Sequence, residues 1–290
     1  MTKIPESVED LTAEWLGDVL GLQVDSVEVE QVGLGVGLVG ELHRMTPVYG
    51  SSRGPDSLVA KIQAPAEETR FVAHLLSMYE REVAFYEIVR ERTEIGSPTC
   101  YHSAFDPETQ AFVILIEDLG RGRNPNQLDG MLVSDAELAV DELAKMHASW
   151  WNDESLSEYD WSIRLCDSPF SDAVVMTYQG GWPVIQDMFA EHVTDSVQAL
   201  GDRFDALLPG LMARLSEPPF TMSHGDYRAE NMFFLDGEDP GLVLVDWQLS
   251  FRARGGCDLA YLLSGSLQTA DRQAHEEHLV RRYADGLLAA

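Results

Sequence analysis

Ser223-His224-Gly225-Asp226-Tyr227-Arg228-Ala229-Glu230-Asn231, followed by the apolar run Leu242-Val243-Leu244-Val245 that closes on Asp246, is the stretch that decides how this chain is read. An aspartate and an asparagine on one loop, then a second aspartate at the end of a short apolar strand, are the groups that phosphoryl transfer from a metal nucleotide requires. A carboxylate within hydrogen-bond reach of an incoming hydroxyl orients it in line and accepts its proton, the role that falls to Asp226. Magnesium takes hard oxygen ligands, so the amide oxygen of Asn231 and the carboxylate of Asp246 are the candidate metal ligands. The plain alternative is a turn rich in Asp and Asn beside an ordinary buried strand.

Upstream, two residues are out of place unless they meet. Lys61 lies inside the strand-like run Ser57-Leu58-Val59-Ala60-Lys61-Ile62-Gln63, and an ammonium buried there needs a partner or a phosphate. An edge-strand lysine facing water is the other reading. Glu82 falls in a helical pattern over residues 69–92, with Met78, Tyr79, Phe85 and Tyr86 at three- and four-residue spacing, which places a carboxylate on an apolar face. Pairing Lys61 with Glu82 resolves both.

In their order along the chain, His224-Gly225-Asp226, Asn231 and Asp246-Trp247-Gln248 parallel the protein-kinase signatures. Gly225 stands where those carry Arg, no Ala-Pro-Glu follows Asp246, and the short stretch between Asp246 and Asp258 leaves too little chain for an activation segment and peptide-docking region, which ranks a protein kinase last. On these residues the chain resembles the aminoglycoside phosphotransferase and choline kinase group of small-molecule kinases. Tyr227-Arg228, Asp246-Trp247-Gln248 and Glu82-Val83-Ala84-Phe85-Tyr86 are most similar to its ecdysteroid-kinase-like branch. The resemblance implies an α+β, protein-kinase-like bilobal fold: an antiparallel β N-lobe over residues 1–118 and a mainly helical C-lobe over 119–290. It implies ATP and Mg2+ as cofactors and transfer of the γ-phosphate to a hydroxyl of a small molecule. Lys61, ordered by Glu82, would hold the α- and β-phosphates, and backbone groups of Glu117 and Leu119 would bind the adenine edge. Asp258 resembles the aspartate that supports the catalytic loop in this group, with a helix N-cap as the competing reading. A catalytically silent pseudokinase, acting as a nucleotide- or ligand-binding module, is the rival in another class.

The rest of the pattern fits around these residues. Residues 7–20 read as an amphipathic helix capped by Ser7, and 24–32 as a half-buried strand. Gly33, Gly35, Gly37 and Gly40 punctuate the following turn, where Gly35 and Gly37 would let backbone amides approach a triphosphate; a plain Gly-rich hairpin is the alternative. Strands are expected at 42–48, 98–105 and 111–118, and a hinge at Glu117-Asp118-Leu119-Gly120. Ser134-Asp135-Ala136-Glu137 has the form of a capping box opening a helix to about residue 151, on which His147 reads as a hydrogen-bonded core residue. Residues 153–220 are helical in pattern and hold twelve acids against three bases. That favours a cationic or polyhydroxylated acceptor mildly, beside the reading of a solvated acidic surface. Trp161, Tyr178 and Trp182 either line that pocket or fill core. A last amphipathic helix spans 272–288.

Composition bounds the partners. With 49 acids against 20 bases the formal net charge is −29, a surface that repels nucleic acid and anionic lipid. Neither nucleic acid nor membrane is an expected partner, and the sequence carries no signal for an oligomeric state. Three cysteines, an odd number without a Cys-x-x-Cys pair, fit a reducing cytoplasm.

Overall fold

The fold is described from a computed structural model that covers residues 2–33, 39–51, 53–236 and 241–290; Gly35 and Gly37 therefore lie outside the described residues. Alternating burial sets the first part of the chain into strands. β1 (Val24–Val32), β2 (Gly40–Tyr49), β3 (Leu58–Gln63), β4 (Cys100–Phe105) and β5 (Phe112–Glu117) form one antiparallel sheet in the order β1-β2-β3-β5-β4. β3 is central, with Lys61 opposite Leu42 on one side and Ile114 on the other. The edge-strand reading of Lys61 is thereby excluded.

Helix α1 (Ala13–Leu20) covers one face of the sheet and buries Trp15 and Leu16 among Met45, Leu58, Ile62 and Leu115. The single helix expected over 7–20 is corrected. A 3-10 turn at Val8–Asp10 precedes Leu11, and Thr12, not Ser7, caps α1 by accepting from the Trp15 N–H. Interrupting the helix at Leu11 lets that side chain reach the core, where it is 2% exposed.

The helix expected over 69–92 is also broken. α2 (Glu67–Leu75) ends, Ser77 takes a left-handed φ of 51°, and α3 (Met78–Ala84) restarts, followed by a π turn at Phe85–Val89 and a 3-10 turn at Arg90–Arg92. The break turns Tyr79 and Glu82 inward, and the π turn lays Phe85 flat on Trp247, with centroids 3.6 Å apart and planes within 6°. Inserted π turns of this kind recur at functional sites.

The second part of the chain is mainly helical. α4 (Val133–Ala148) is followed by α5 (Phe170–Met188), α6 (Asp195–Gly201) and α7 (Phe204–Leu215), and the chain closes with α8 (Gly256–Gly265) and α9 (Thr269–Ala289). Two short antiparallel pairs carry the loops between them: β6 (Thr221–Ser223) with β9 (Phe251–Ala253), and β7 (Met232–Leu235) with β8 (Gly241–Leu244). The capping box at Ser134 is corrected as well. Leu132 holds the N-cap position without a side-chain bond, and Asp135 instead takes a bidentate pair from Arg123 at 2.7 and 2.8 Å. A charged fork is the stronger bond. The main core joins Leu143 and Met146 of α4, Leu262 of α8, Leu279 of α9 and Trp247, and it also takes in Ala84, Phe85 and Val89. The segment just after Glu82 is thus anchored in the same core as the residue just after Asp246.

Candidate active site

Lys61 is the meeting point of the two halves. Its ammonium lies 2.6 Å from Glu82 Oε2 and 2.8 Å from Asp246 Oδ1, with Gln248 Oε1 at 3.4 Å. Gln248 also donates to Asp246 Oδ2 at 3.2 Å, so it braces both partners. Burial alone would lower the Lys61 pKa, but the carboxylates of Asp246 and Glu82 outweigh it and hold the lysine firmly cationic. Burial pushes Glu82 up to about 7 against the pull of Lys61, aided by the Asp246 charge that shares the same ammonium. Two carboxylates on one cation leave an excess of negative charge at this point.

The loop beneath is held from within. Asn231 Nδ2 donates to both the backbone carbonyl and Oδ2 of Asp226, each at 2.8 Å, and Arg228 Nε reaches the same Oδ2 at 3.1 Å. Arg228 is itself tied to Gln127 at 2.7 Å and Glu230 at 2.5 Å. Tyr261 lies beside the Asp226 carboxylate; burial first, then that charge, raises its pKa. His224 ties the loop to the strand before Asp246. Its Nδ1 accepts from the Asp226 N–H at 3.2 Å and its Nε2 donates to the Val245 carbonyl at 3.0 Å. Acceptance at Nδ1 requires the neutral ring, and burial lowers its pKa accordingly. The Val245 N–H returns to the Asn231 carbonyl at 3.0 Å, which links the loops of Asp226, Asn231 and Asp246 through backbone.

Asp258 completes the frame. It is 1% exposed and accepts from the backbone N–H groups of His224 at 2.7 Å and Gly225 at 2.9 Å, and from His147 Nε2 at 3.1 Å. Burial opposes its charge, but these donors hold the carboxyl below its usual range. The N-cap of α8 is Gly255, so Asp258 supports the loop rather than capping a helix. His147, as expected, is a buried residue with both ring nitrogens engaged, the other by Tyr283 at 2.7 Å. Gly225 has φ 85°, and a Cβ there would sit 2.2 Å from the Leu249 carbonyl oxygen, which accounts for glycine at this position.

Asn231 and Asp246 offer the oxygen donors that a hard divalent cation takes. Asn231 commits its amide nitrogen to Asp226, which leaves Oδ1 for a ligand, and Asp246 presents a carboxylate whose side chain is 18% exposed. Among the described residues there is no cluster of three or more His, Cys, Asp or Glu side chains that could hold a metal alone. One carboxylate and one amide oxygen still suit magnesium, which keeps water and phosphate oxygens as its remaining ligands.

At the end of β5, the Glu117 N–H donates to the Thr99 carbonyl at 2.9 Å, and the Leu119 carbonyl accepts from Gly122 at 2.7 Å. Arg44 and Ser57 grip the intervening Asp118 at 2.7 and 2.6 Å, so the connection between the halves is pinned at that residue. Of the aromatics, Trp161 lies in the main core, while Tyr178 and Trp182 stack on each other and bond Gly201 and Asp202.

Two residues escaped the sequence reading. Gln248 gave no periodic signal. Arg81 did, with Met78, Ala84 and Phe85 at the same spacings that singled out Glu82. It is 1% exposed, donates to the carbonyls of Leu76 and Ser250, and faces Phe170 at 5.7 Å, tying α3 to the segment that follows Asp246. Burial pulls its pKa down to about 10.

An antiparallel sheet with a buried lysine, joined to a helical half that carries the Asp226 loop, is a protein-kinase-like fold in an α+β chain. Residues 39–290 match the ecdysteroid kinase-like family, and the chain belongs to that family. It is similar in structure to the choline kinase LicA from Streptococcus pneumoniae, at 16% identity and a TM-score of 0.54 over 93% of this chain and 78% of that one. The macrolide 2'-phosphotransferase MphH from Brachybacterium faecium aligns at 16% identity with a TM-score of 0.52, covering 97% of this chain and 84% of that one. A ternary complex of APH(2")-IIa with streptomycin and ATP aligns at 11% identity and a TM-score of 0.54, over 97% and 83% of the two chains. The curated proteins include no match to the chain.

Proposed function

We propose that the protein is an ATP-dependent phosphotransferase that moves the γ-phosphate to a hydroxyl of a small molecule. The observation that carries this reading is the convergence of Glu82 from α3 and Asp246 from the loop after β8 on the single ammonium of Lys61. A buried carboxyl strongly perturbed by desolvation and held to a specific charge partner marks a candidate functional site. Lys61, ordered by Glu82, binds the α- and β-phosphates in this reading, and backbone groups of Glu117 and Leu119 bind adenine at the hinge between lobes of residues 1–118 and 119–290. Asn231 and Asp246 hold Mg2+, which when bound neutralises charge on the phosphates. Asp226 takes the acceptor proton, its orientation fixed by Asn231 and Arg228.

The relatives named above act on, or are bound to, small molecules that include choline, macrolides and streptomycin, which supports a small hydroxyl-bearing acceptor here. The acid-rich helices α5 to α7 favour a cationic one. Cys100, Cys166 and Cys257 are free thiols, as a cytoplasmic enzyme would have them. Among the described residues no helix is long and apolar enough to cross a membrane.

A coupled ADP-release screen over aminoglycosides, amino alcohols, sugars, nucleosides and sterols, run beside a thermal shift with Mg-ATP, tests the reading. Mg-ATP at a hundredfold excess over Kd stabilises by about 2.7 kcal/mol if it binds the native state. A shift without turnover of any acceptor turns the assignment toward the silent nucleotide-binding module. No shift and no turnover overturns both.

A further inference from the structure

Every proton of the Lys61 ammonium is already taken. An ammonium has three donors and no acceptor, and three oxygens surround this one: Glu82 Oε2 at 2.6 Å, Asp246 Oδ1 at 2.8 Å and Gln248 Oε1 at 3.4 Å. A phosphate oxygen that reaches Lys61 has to replace one of them. Charged acceptors make the shorter and stronger bonds, so the long contact to the neutral amide is the one that yields.

Gln248 is placed to lose that contact and keep another. It is 6% exposed, and its Nε2 donates to Asp246 Oδ2 at 3.2 Å. A carboxamide joins an acceptor and a donor in one flat group, which matches an ammonium that only donates and a carboxylate that only accepts. The backbone beneath it is fixed. Trp247 is fully buried and stacked on Phe85, and the N–H and hydroxyl of buried Ser250 both return to the Trp247 carbonyl, at 3.1 and 2.7 Å.

We infer that Gln248 is a positioning residue that frees Lys61 for the nucleotide while it keeps Asp246 in place for the divalent cation, and so couples the binding of the two. The role rests on the phosphotransferase reading of the same site. With Lys61 turned to a phosphate, Gln248 still holds Asp246 through Nε2. Its freed oxygen is a hard donor of the kind that a divalent cation or its waters take.

Calorimetric titration of the non-hydrolysable analogue AMP-PNP, once in EDTA and once in saturating Mg2+, gives the factor by which the cation tightens nucleotide binding. Gln248→Met keeps the length of the side chain and removes both polar ends. It should bind metal-free AMP-PNP within about twofold of the native chain, while the Mg2+ factor falls about tenfold. Gln248→Glu should move the other way. A third carboxylate on Lys61 weakens metal-free binding about tenfold, and Mg2+, standing between that carboxylate and Asp246, restores it, so the factor rises. An amide that only fills space changes both affinities together, so a native factor in Gln248→Glu, or in a folded Gln248→Met, overturns the role. Should Gln248→Met not fold, Gln248→Glu decides alone. Failure of the native chain to bind AMP-PNP under either condition overturns the phosphotransferase reading and this role with it, whereas native binding with unchanged factors in the variants overturns the role of Gln248 alone.

Discussion

The loop from Ser223 to Asn231 and helix α5 belong to the same half of the molecule and are held in opposite ways. In the loop Ser223, His224, Tyr227 and Ala229 are fully buried, and, the unpartnered Ser223 hydroxyl apart, polar groups are tied from three directions: Asp258 below, Val245 beside, and the Ala139 carbonyl, which accepts from the Tyr227 hydroxyl at 2.7 Å. None of the nineteen residues of α5 is buried, and Met176 and Met188 are 71% and 68% exposed. A few bonds, such as Tyr178 to the Gly201 carbonyl at 2.8 Å and Trp182 to Asp202 at 3.0 Å, tie it to its neighbours. Buried polar groups tolerate one geometry only, because each lost partner leaves an unsatisfied atom. An exposed helix keeps its place with few such constraints on its outward side chains.

The sharpest way to break this contrast is at Asp226. If it is the proton acceptor, Asp226→Asn, which keeps a side-chain oxygen for Asn231 and Arg228, should lower turnover on the order of 10²- to 10⁴-fold with its denaturation midpoint nearly unchanged; ADP release at the native rate would remove it from the chemistry. Next in size is Asp258→Asn, which has one acceptor oxygen for donors from His224, Gly225 and His147. A loss of about 2–4 kcal/mol in urea unfolding is expected, and a loss under 0.5 would mean that the loop does not depend on this carboxylate.

His224 sharpens the contrast through pH. Its folded pKa is depressed below the ordinary 6.5, chiefly by burial, so the unfolded chain binds a proton that the native loop refuses. Stability is therefore complete above about pH 6.5 and falls as the solution is acidified below it. His224→Gln can still donate to Val245 and accept from Asp226, and its unfolding free energy should fall less steeply from pH 7 to 5.5. Parallel slopes would show that the ring does not set this dependence. The smallest effect belongs to α5: Met176→Ser and Met188→Ser should each change stability by no more than about 0.5 kcal/mol. Losses like that at Asp258 would mean that α5 packs against something in solution.

Much of the frame was legible because it rests on local periodicity. The alternation of β1 and the apolar run of β5 were read nearly to their ends, and the spacing around Glu82 marked it as a buried acid in want of a cation. The breaks were not legible. The break at Ser77, the cap at Thr12 in place of Ser7 and the ion pair of Asp135 in place of a capping box each follow from a tertiary contact: the Arg81 guanidinium closing the end of α2, the burial of Leu11, and the fork of Arg123. Arg81 shared the pattern of Glu82, but its partners are carbonyls, which no residue-type pattern announces.

From residue order alone came the expectation of phosphotransfer, the five candidate side chains Lys61, Glu82, Asp226, Asn231 and Asp246, and the strand that carries Lys61, since pattern and motif are properties of neighbours in the chain. Only the tertiary structure decided that Asp246 also reaches Lys61 and that Asp258 and His224 hold the loop. Those are contacts between segments up to 185 residues apart, and they exist only once the two halves have closed on a shared core.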